Sequence, residues 1–198
     1  MTILIILSAY IVGCFPSAYL VTKIATHGND IRRLGTGKLG TANVLDVTHS
    51  KPAAICTLLL DILKGVAIAW LASSLLGVAP KIFPALTLIA GVLGHNRNIF
   101  LRFSGGRGLA VSVGIFACIN PLPIILWLAC WGVSRFRVKN LDMNNIFASA
   151  ASAVLICLFE TDDFNIAWLA NCALPRISLL IAVIAINSMV IISYVKKR

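Results

Sequence analysis

The amino-acid sequence predicts an all-α polytopic membrane protein of about seven transmembrane helices, with the N-terminus outside and the C-terminus inside. Apolar residues make up 59 % of the chain and charged residues only 12 %. A soluble domain carries about 25 % charged residues, so too little polar surface is present to coat a water-soluble particle. Mean hydropathy is +0.94. The remaining charge, 17 Lys+Arg against 7 Asp+Glu, lies mostly in short segments between apolar runs. The bilayer must be part of the solvent.

Three runs, 3–24, 52–76 and 177–195, are long enough to cross roughly 30 Å of hydrocarbon as single helices. Four shorter runs, 82–93, 109–119, 122–133 and 146–159, fit tilted short helices, re-entrant segments or a thinned bilayer. Counting each as a span gives seven, and charge placement agrees. With an outer N-terminus, the inner regions hold Lys23, Arg32, Arg33, Lys38 and Lys51, then Arg97, Arg102 and Arg107, then Arg135, Arg137 and Lys139, and finally Lys196, Lys197 and Arg198. The outer regions hold Lys81, Arg176 and the acidic cluster Glu160, Asp162 and Asp163. The positive-inside rule fits this arrangement and fails if one middle span is deleted. No basic n-region precedes the first run, so it reads as a retained span. The chain reads as one domain over 1–198.

A net charge of +10 on a soluble chain would raise nucleic acid as a partner. In short membrane-flanking loops it suits anionic headgroups and phosphorylated substrates instead, and no nucleic acid is expected. Three histidines and six cysteines lack metal-ligand spacing, so neither a metal nor another cofactor is expected.

Two loops carry the candidate chemistry. The first runs from His27 to Asn43 and gathers Gly35, Gly37 and Gly40 with Arg32, Thr36 and Lys38. Glycine lets backbone N–H groups close around an anion, and Arg or Lys adds charge-assisted hydrogen bonds. The spacing of those glycines matches the dinucleotide fingerprint, but that signal needs a βαβ unit, which hydropathy here denies. Leu39 after Gly37-Lys38 rules out a phosphate-binding P-loop of the nucleotidase type. The second loop runs from Gly94-His95 through Phe100 and Phe103 to Gly105-Gly106-Arg107-Gly108. It ends at a helix N-terminus, which favours anions. Each loop alone also reads as a basic, helix-breaking turn. Asp61 and Lys64 share a face of the second span, as a structural pair or as a polar step across the bilayer.

In these residues the chain resembles the bacterial acyl-phosphate:glycerol-3-phosphate acyltransferase family. Gly13-Cys14-Phe15-Pro16-Ser17, Asp30-Ile31-Arg32-Arg33-Leu34-Gly35-Thr36-Gly37-Lys38-Leu39-Gly40-Thr41-Ala42-Asn43, Asp61-Ile62-Leu63-Lys64-Gly65 and the Gly94–Gly108 stretch follow the family's motifs in order. The resemblance implies an enzyme of the bacterial inner membrane, acting at its cytoplasmic surface. It would transfer a fatty acyl group from acyl-phosphate to glycerol-3-phosphate, giving lysophosphatidic acid for phospholipid synthesis. It implies catalytic roles for Thr36, Arg107 and His95, and substrate binding by Arg32, Gly35, Gly37, Lys38, Gly40, Asn43, Gly105, Gly106 and Gly108. Membrane lipids would supply the surroundings of the acyl tail.

The chain departs from the family at several positions. Thr36 replaces a Ser, Lys38 an Asn, Arg107 a Lys, Asn98 a Pro and Asp46 a substrate-binding Arg. The family's C-terminal His-containing tail has no clear counterpart, with Lys196 standing near the His position. A catalytically silent relative that binds an anionic lipid or phosphate therefore stays open, as does a small transporter built around Asp61 and Lys64.

Overall fold

The computed structural model describes residues 1–158 and 174–195. The acidic cluster Glu160, Asp162 and Asp163 and the basic end Lys196–Arg198 lie outside the described residues. Among the described residues the regular structure is helical: α1 (Thr2–Gly13), α2 (Ser17–Ala25), α3 (Thr41–Thr48), α4 (Lys51–Ser73), α5 (Ile82–Asn96), α6 (Leu109–Ile119), α7 (Leu122–Arg135), α8 (Leu141–Leu158) and α9 (Arg176–Val195). Two short 3₁₀ turns, Ile31–Arg33 and Ile99–Leu101, sit inside the two glycine-rich loops.

Four segments are long and apolar enough to cross a membrane: Thr2–Ala25, Lys51–Ser73, Leu141–Leu158 and Arg176–Val195. Ile82–Asn96, Leu109–Ile119 and Leu122–Arg135 are shorter apolar helices. The outer surface is greasy, with Leu4, Leu59, Leu63, Trp70, Leu128 and Val154 all exposed. That is the expected surface of a helical bundle whose solvent is hydrocarbon.

Three boundaries differ from the sequence expectation. The first run is not one continuous helix; it breaks at Cys14-Phe15-Pro16. Pro16 offers no N–H to the helix ladder and drives the preceding residue out of helical conformation. The freed carbonyls find new donors: Lys64 Nζ reaches the Phe15 oxygen at 2.8 Å, and Asn98 Nδ2 donates to the Cys14 oxygen. Such repair is what makes a broken helix tolerable at membrane depth. The helix expected from 146 begins at Leu141 instead. Asn140 Oδ1 accepts the N–H groups of Asp142 at 2.9 Å and Met143 at 3.1 Å, which caps the end. Finally, the segment between the first two apolar runs, which the hydropathy pattern leaves without a helix, contains α3. Its Val44 is fully buried with Ala18, Ile31, Leu39 and Leu101 in a small satellite core.

The main core gathers Ile68, Leu88, Val92, Val111, Ile115, Ile156, Val183 and Ile186 from α4, α5, α6, α8 and α9. α4 packs on α6 and α1 on α5, while α7, α8 and α9 pack in sequence and α9 closes on α5. Small residues set a close crossing between α4 and α6. A Cβ on Gly65 would stand 2.2 Å from the Val111 oxygen, and one on Gly114 would stand 2.1 Å from the Ile62 oxygen. With no hydrophobic drive between helices in lipid, this close backbone approach carries the association. Gly65→Ala should therefore lower the thermal midpoint of the detergent-solubilised protein, by an overpacking cost of about 1–3 kcal/mol. A melt matching that of the unsubstituted protein would refute this reading of the crossing.

Candidate active site

The break in the first run, α4 and α5 meet in a buried polar cluster. Ser17 Oγ donates to Asp61 Oδ1, and Lys64 Nζ lies 2.8 Å from the same oxygen. Lys64 Nζ also stands 3.3 Å from His95 Nδ1 and 3.4 Å from Ser17 Oγ. Asp61 and Lys64 are 2 % and 6 % exposed, so the charges are compensated by one another and by dipoles rather than by water. A cavity of about 10 Å³ beside Lys64 and His95 has room for about one water.

His95 Nε2 faces the second loop. A Cβ on Gly106 would meet that nitrogen at 2.1 Å and the Leu39 oxygen at 2.3 Å. Gly106 is thus the position where the loop lies flat between His95 and the first loop. The Leu39 N–H donates to the Gly105 oxygen at 3.3 Å, and the Gly106 N–H to the His95 oxygen at 3.1 Å. The two glycine-rich loops therefore touch.

Asn43 organises the first loop from beneath. Its Oδ1 accepts the Thr36 N–H at 2.9 Å. Its Nδ2 donates to the oxygens of Lys38 at 2.9 Å and Leu34 at 3.3 Å. Gly35 and Gly37 take φ of +53° and +68°, the left-handed region open to glycine. The expected backbone nest is largely occupied. Thr36, Gly37, Lys38, Leu39 and Gly106 already donate to Asn43, Leu34, Thr36 Oγ1, Gly105 and His95.

The arginines are also engaged. Arg32 forks onto Asp30, with Nη2 at 2.6 Å and Nε at 3.0 Å, and lies over the Tyr19 ring. Hydrogen bonding from Arg32 holds the Asp30 carboxyl below the usual carboxylate range. Arg107 forks onto Asp142 at 2.5 and 3.0 Å and stacks 4.0 Å from the Tyr194 centroid. Tyr194 Oη in turn accepts from Asn145 Nδ2 at 2.8 Å. Arg107 thus pins the second loop to α8 and α9.

Above the touching loops opens a cleft of about 340 Å³. Thr36, Gly37 and Lys38 line it from the first loop, and Phe103 to Gly106 from the second. Leu93, Asn96 and Arg97 come from the end of α5, and Met189, Ile192 and Ser193 from α9. The wall combines the cations Lys38 and Arg97 with the apolar Leu93, Phe103, Met189 and Ile192. Such a cleft fits a ligand with an anionic head and a hydrocarbon tail.

Of the expected residues, the cleft brings together Thr36, Gly37, Lys38, Gly105 and Gly106. Arg32, Gly35, Gly40, Asn43, His95, Arg107 and Gly108 lie outside its wall. Gly40 caps α3 and Gly108 caps α6, Asn43 and His95 brace the loops, and both arginines are ion-paired. The wall residues Asn96, Arg97, Ser104 and Ser193 were not anticipated as site residues. Arg97 had a signal, as a loop cation; the α9 residues had none, because no local pattern distinguishes a cleft-facing Ser193 from any other helical serine.

The decisive comparison spans nearly the whole chain: the family of glycerol-3-phosphate acyltransferases matches residues 3–197. This chain belongs to that family. A glycerol-3-phosphate acyltransferase from Geotalea daltonii is 36 % identical over 158 residues, covering 80 % of this chain and 79 % of that one. One from Thermotoga petrophila is 36 % identical over 154 residues, covering 78 % and 76 %. The fold is similar to a crystal structure of an integral membrane glycerol 3-phosphate acyltransferase in its glycerol 3-phosphate form. The TM-score is 0.75 at 22 % identity, over 96 % of this chain and 86 % of that one. The family sets the reaction class of this acyltransferase, acyl transfer to glycerol-3-phosphate with lysophosphatidic acid as product.

Two outcomes follow from the loop geometry. Asn43→Ala removes three hydrogen bonds at a buried position, each worth about 1 kcal/mol. It should impair substrate binding at least about tenfold while leaving helix content unchanged by circular dichroism. A variant with wild-type KM would show that the loop does not need this brace. The Asp30–Arg32 clamp, with its lowered carboxyl pKa, contributes fully above the unfolded carboxylate value of about 3.9. It is lost only as pH falls through the lower folded value. Limited proteolysis of the first loop should stay constant from pH 7 down to about 4, and should be faster across that whole range in Asp30→Asn.

Proposed function

We propose that this acyltransferase uses acyl-phosphate as its donor and works at the cytoplasmic face of a bacterial inner membrane. The reading includes seven spans with the N-terminus outside and the C-terminus inside, in a single domain over 1–198. The basic loops would then all face the cytoplasm, where both phosphorylated substrates are found. The observation that carries the reading is the junction of the two glycine-rich loops through Leu39 and Gly105 beside one cleft lined by both cationic and apolar residues.

In this reading the acyl chain lies along Leu93, Phe103, Met189 and Ile192, entering from the bilayer between α5 and α9. The phosphates sit toward Lys38 and the second loop. The first hydroxyl oxygen of glycerol-3-phosphate attacks the acyl carbonyl carbon. The carbonyl carbon–oxygen bond to phosphate breaks, the ester bond forms, and the hydroxyl proton leaves with the departing phosphate. Phosphate is already a good leaving group, so positioning and charge stabilisation supply the rate. Thr36 Oγ1, exposed on the cleft wall, orients the reacting groups. His95 and Arg107 act on the loop rather than on substrate: one seats Gly106, the other anchors the loop to α8 and α9.

A second reading, a silent relative that binds the anionic ligand without turnover, draws on Asp46. That carboxylate is exposed on α3, where the family resemblance calls for a cation. The transporter reading loses ground, because Asp61 and Lys64 are closed into the cluster with Ser17 and His95.

Purified protein given acyl-phosphate and labelled glycerol-3-phosphate should release labelled lysophosphatidic acid. Binding of glycerol-3-phosphate with no labelled product would select the silent reading instead. Thr36→Val should lower kcat about tenfold or more by removing a hydroxyl contact, with Thr36→Ser close to wild type. Equal kcat for all three would remove Thr36 from the mechanism.

A further inference from the structure

We infer that Arg97 is the guanidinium that grips a substrate phosphate in this chain; the inference rests on the acyl-transfer reading and adds a residue to its site. Arg32 and Arg107, which the motifs single out, each spend a full fork on a carboxylate and a face on a tyrosine ring. A guanidinium paired in this way offers a phosphate little net charge, and taking it would break a bidentate ion pair. Arg97 differs from both. It lines the cleft, it is exposed, and no carboxylate among the described residues pairs with it.

The backbone of Arg97 is nevertheless fixed. Its N–H donates to the Leu93 oxygen at 2.7 Å, at the last turn of α5. Its carbonyl accepts from Tyr10 Oη of α1 at 2.7 Å. Two elements therefore hold the backbone of a residue that lines the cleft. Lys38 enters the same wall from the other loop, so two cations approach one volume from separate segments. A planar fork matches two phosphate oxygens at once, which an ammonium does not. Asp46 stands exposed where the family resemblance places a cation, and Arg97 supplies the positive charge from α5 instead.

Either substrate carries the phosphate chemistry that Arg97 recognises, and kinetics separates them. KM for glycerol-3-phosphate and KM for acyl-phosphate are measured in turn, each with the other substrate saturating, for wild type, Arg97→Gln, Arg97→Lys and Arg33→Gln. Arg33 is exposed and outside the cleft wall, so Arg33→Gln controls for general loss of charge. Inorganic phosphate binding to the same detergent-solubilised proteins is measured by calorimetry as a readout independent of turnover. Arg97→Gln should raise one KM about tenfold or more, as expected for loss of a charge-assisted hydrogen bond, and weaken phosphate binding comparably. The KM that rises names the substrate held. Arg97→Lys should recover part of the loss and Arg33→Gln should change neither value more than about twofold. Unchanged KM values together with unchanged phosphate affinity in Arg97→Gln overturn the inference, as does an equal effect from Arg33→Gln. If wild type gives no product at all, the acyl-transfer reading fails, and the calorimetric ratio alone decides for or against Arg97.

Discussion

The buried pair of Asp61 and Lys64 is the contact on which the rest of the site is built. Two charges at 2 % and 6 % exposure are costly in a helical bundle, and removing either would strand the other without water. The chain makes the pair tolerable by breaking its own first span. Pro16 releases the Phe15 carbonyl, and Lys64 Nζ takes it at 2.8 Å. Ser17, at the restart of the helix, donates to Asp61. A helix break, a salt bridge and a histidine become one structural unit, and His95 at its upper edge receives the second loop.

The glycines of that loop and its partner act through what they lack. The sequence pattern resembles a phosphate nest, in which N–H groups point at an anion. In the folded protein four of those N–H groups already have acceptors in Asn43, Leu34, Gly105 and His95. Gly105 and Gly106 instead allow backbone to lie against backbone and against the His95 ring, where a Cβ would stand about 2 Å from its neighbours. Steric permission, more than hydrogen-bond donation, joins the two loops. The acidic partners Asp30 and Asp142 complete the scaffold by pairing with Arg32 and Arg107.

Much of the architecture was legible locally. Hydropathy located every helix that enters the main core, because apolar runs of that length have few other fates. The errors fell where polar residues belong to helices. Asp142, Asn144 and Asn145 read as loop, yet they begin α8, where Asn144 bonds Ser134 at 2.6 Å and Asn145 bonds Trp131 at 2.9 Å. α3 was missed because Val44 is buried by Ile31, Leu39 and Leu101, contacts that no short window contains. The continuous first run concealed its break, although Pro16 was the available signal.

The sequence by itself determined the solvent, the helical class and the two glycine-rich basic loops, since composition, period and glycine spacing are properties of neighbouring residues. Only the tertiary structure decided which cations are ion-paired. Arg107 finds Asp142 across 35 residues, Lys64 finds the Phe15 carbonyl across 49, and Tyr10 fixes Arg97 across 87. An arginine is a ligand or a strut according to what faces it, and that partner is chosen by helix packing rather than by the motif in which the arginine stands.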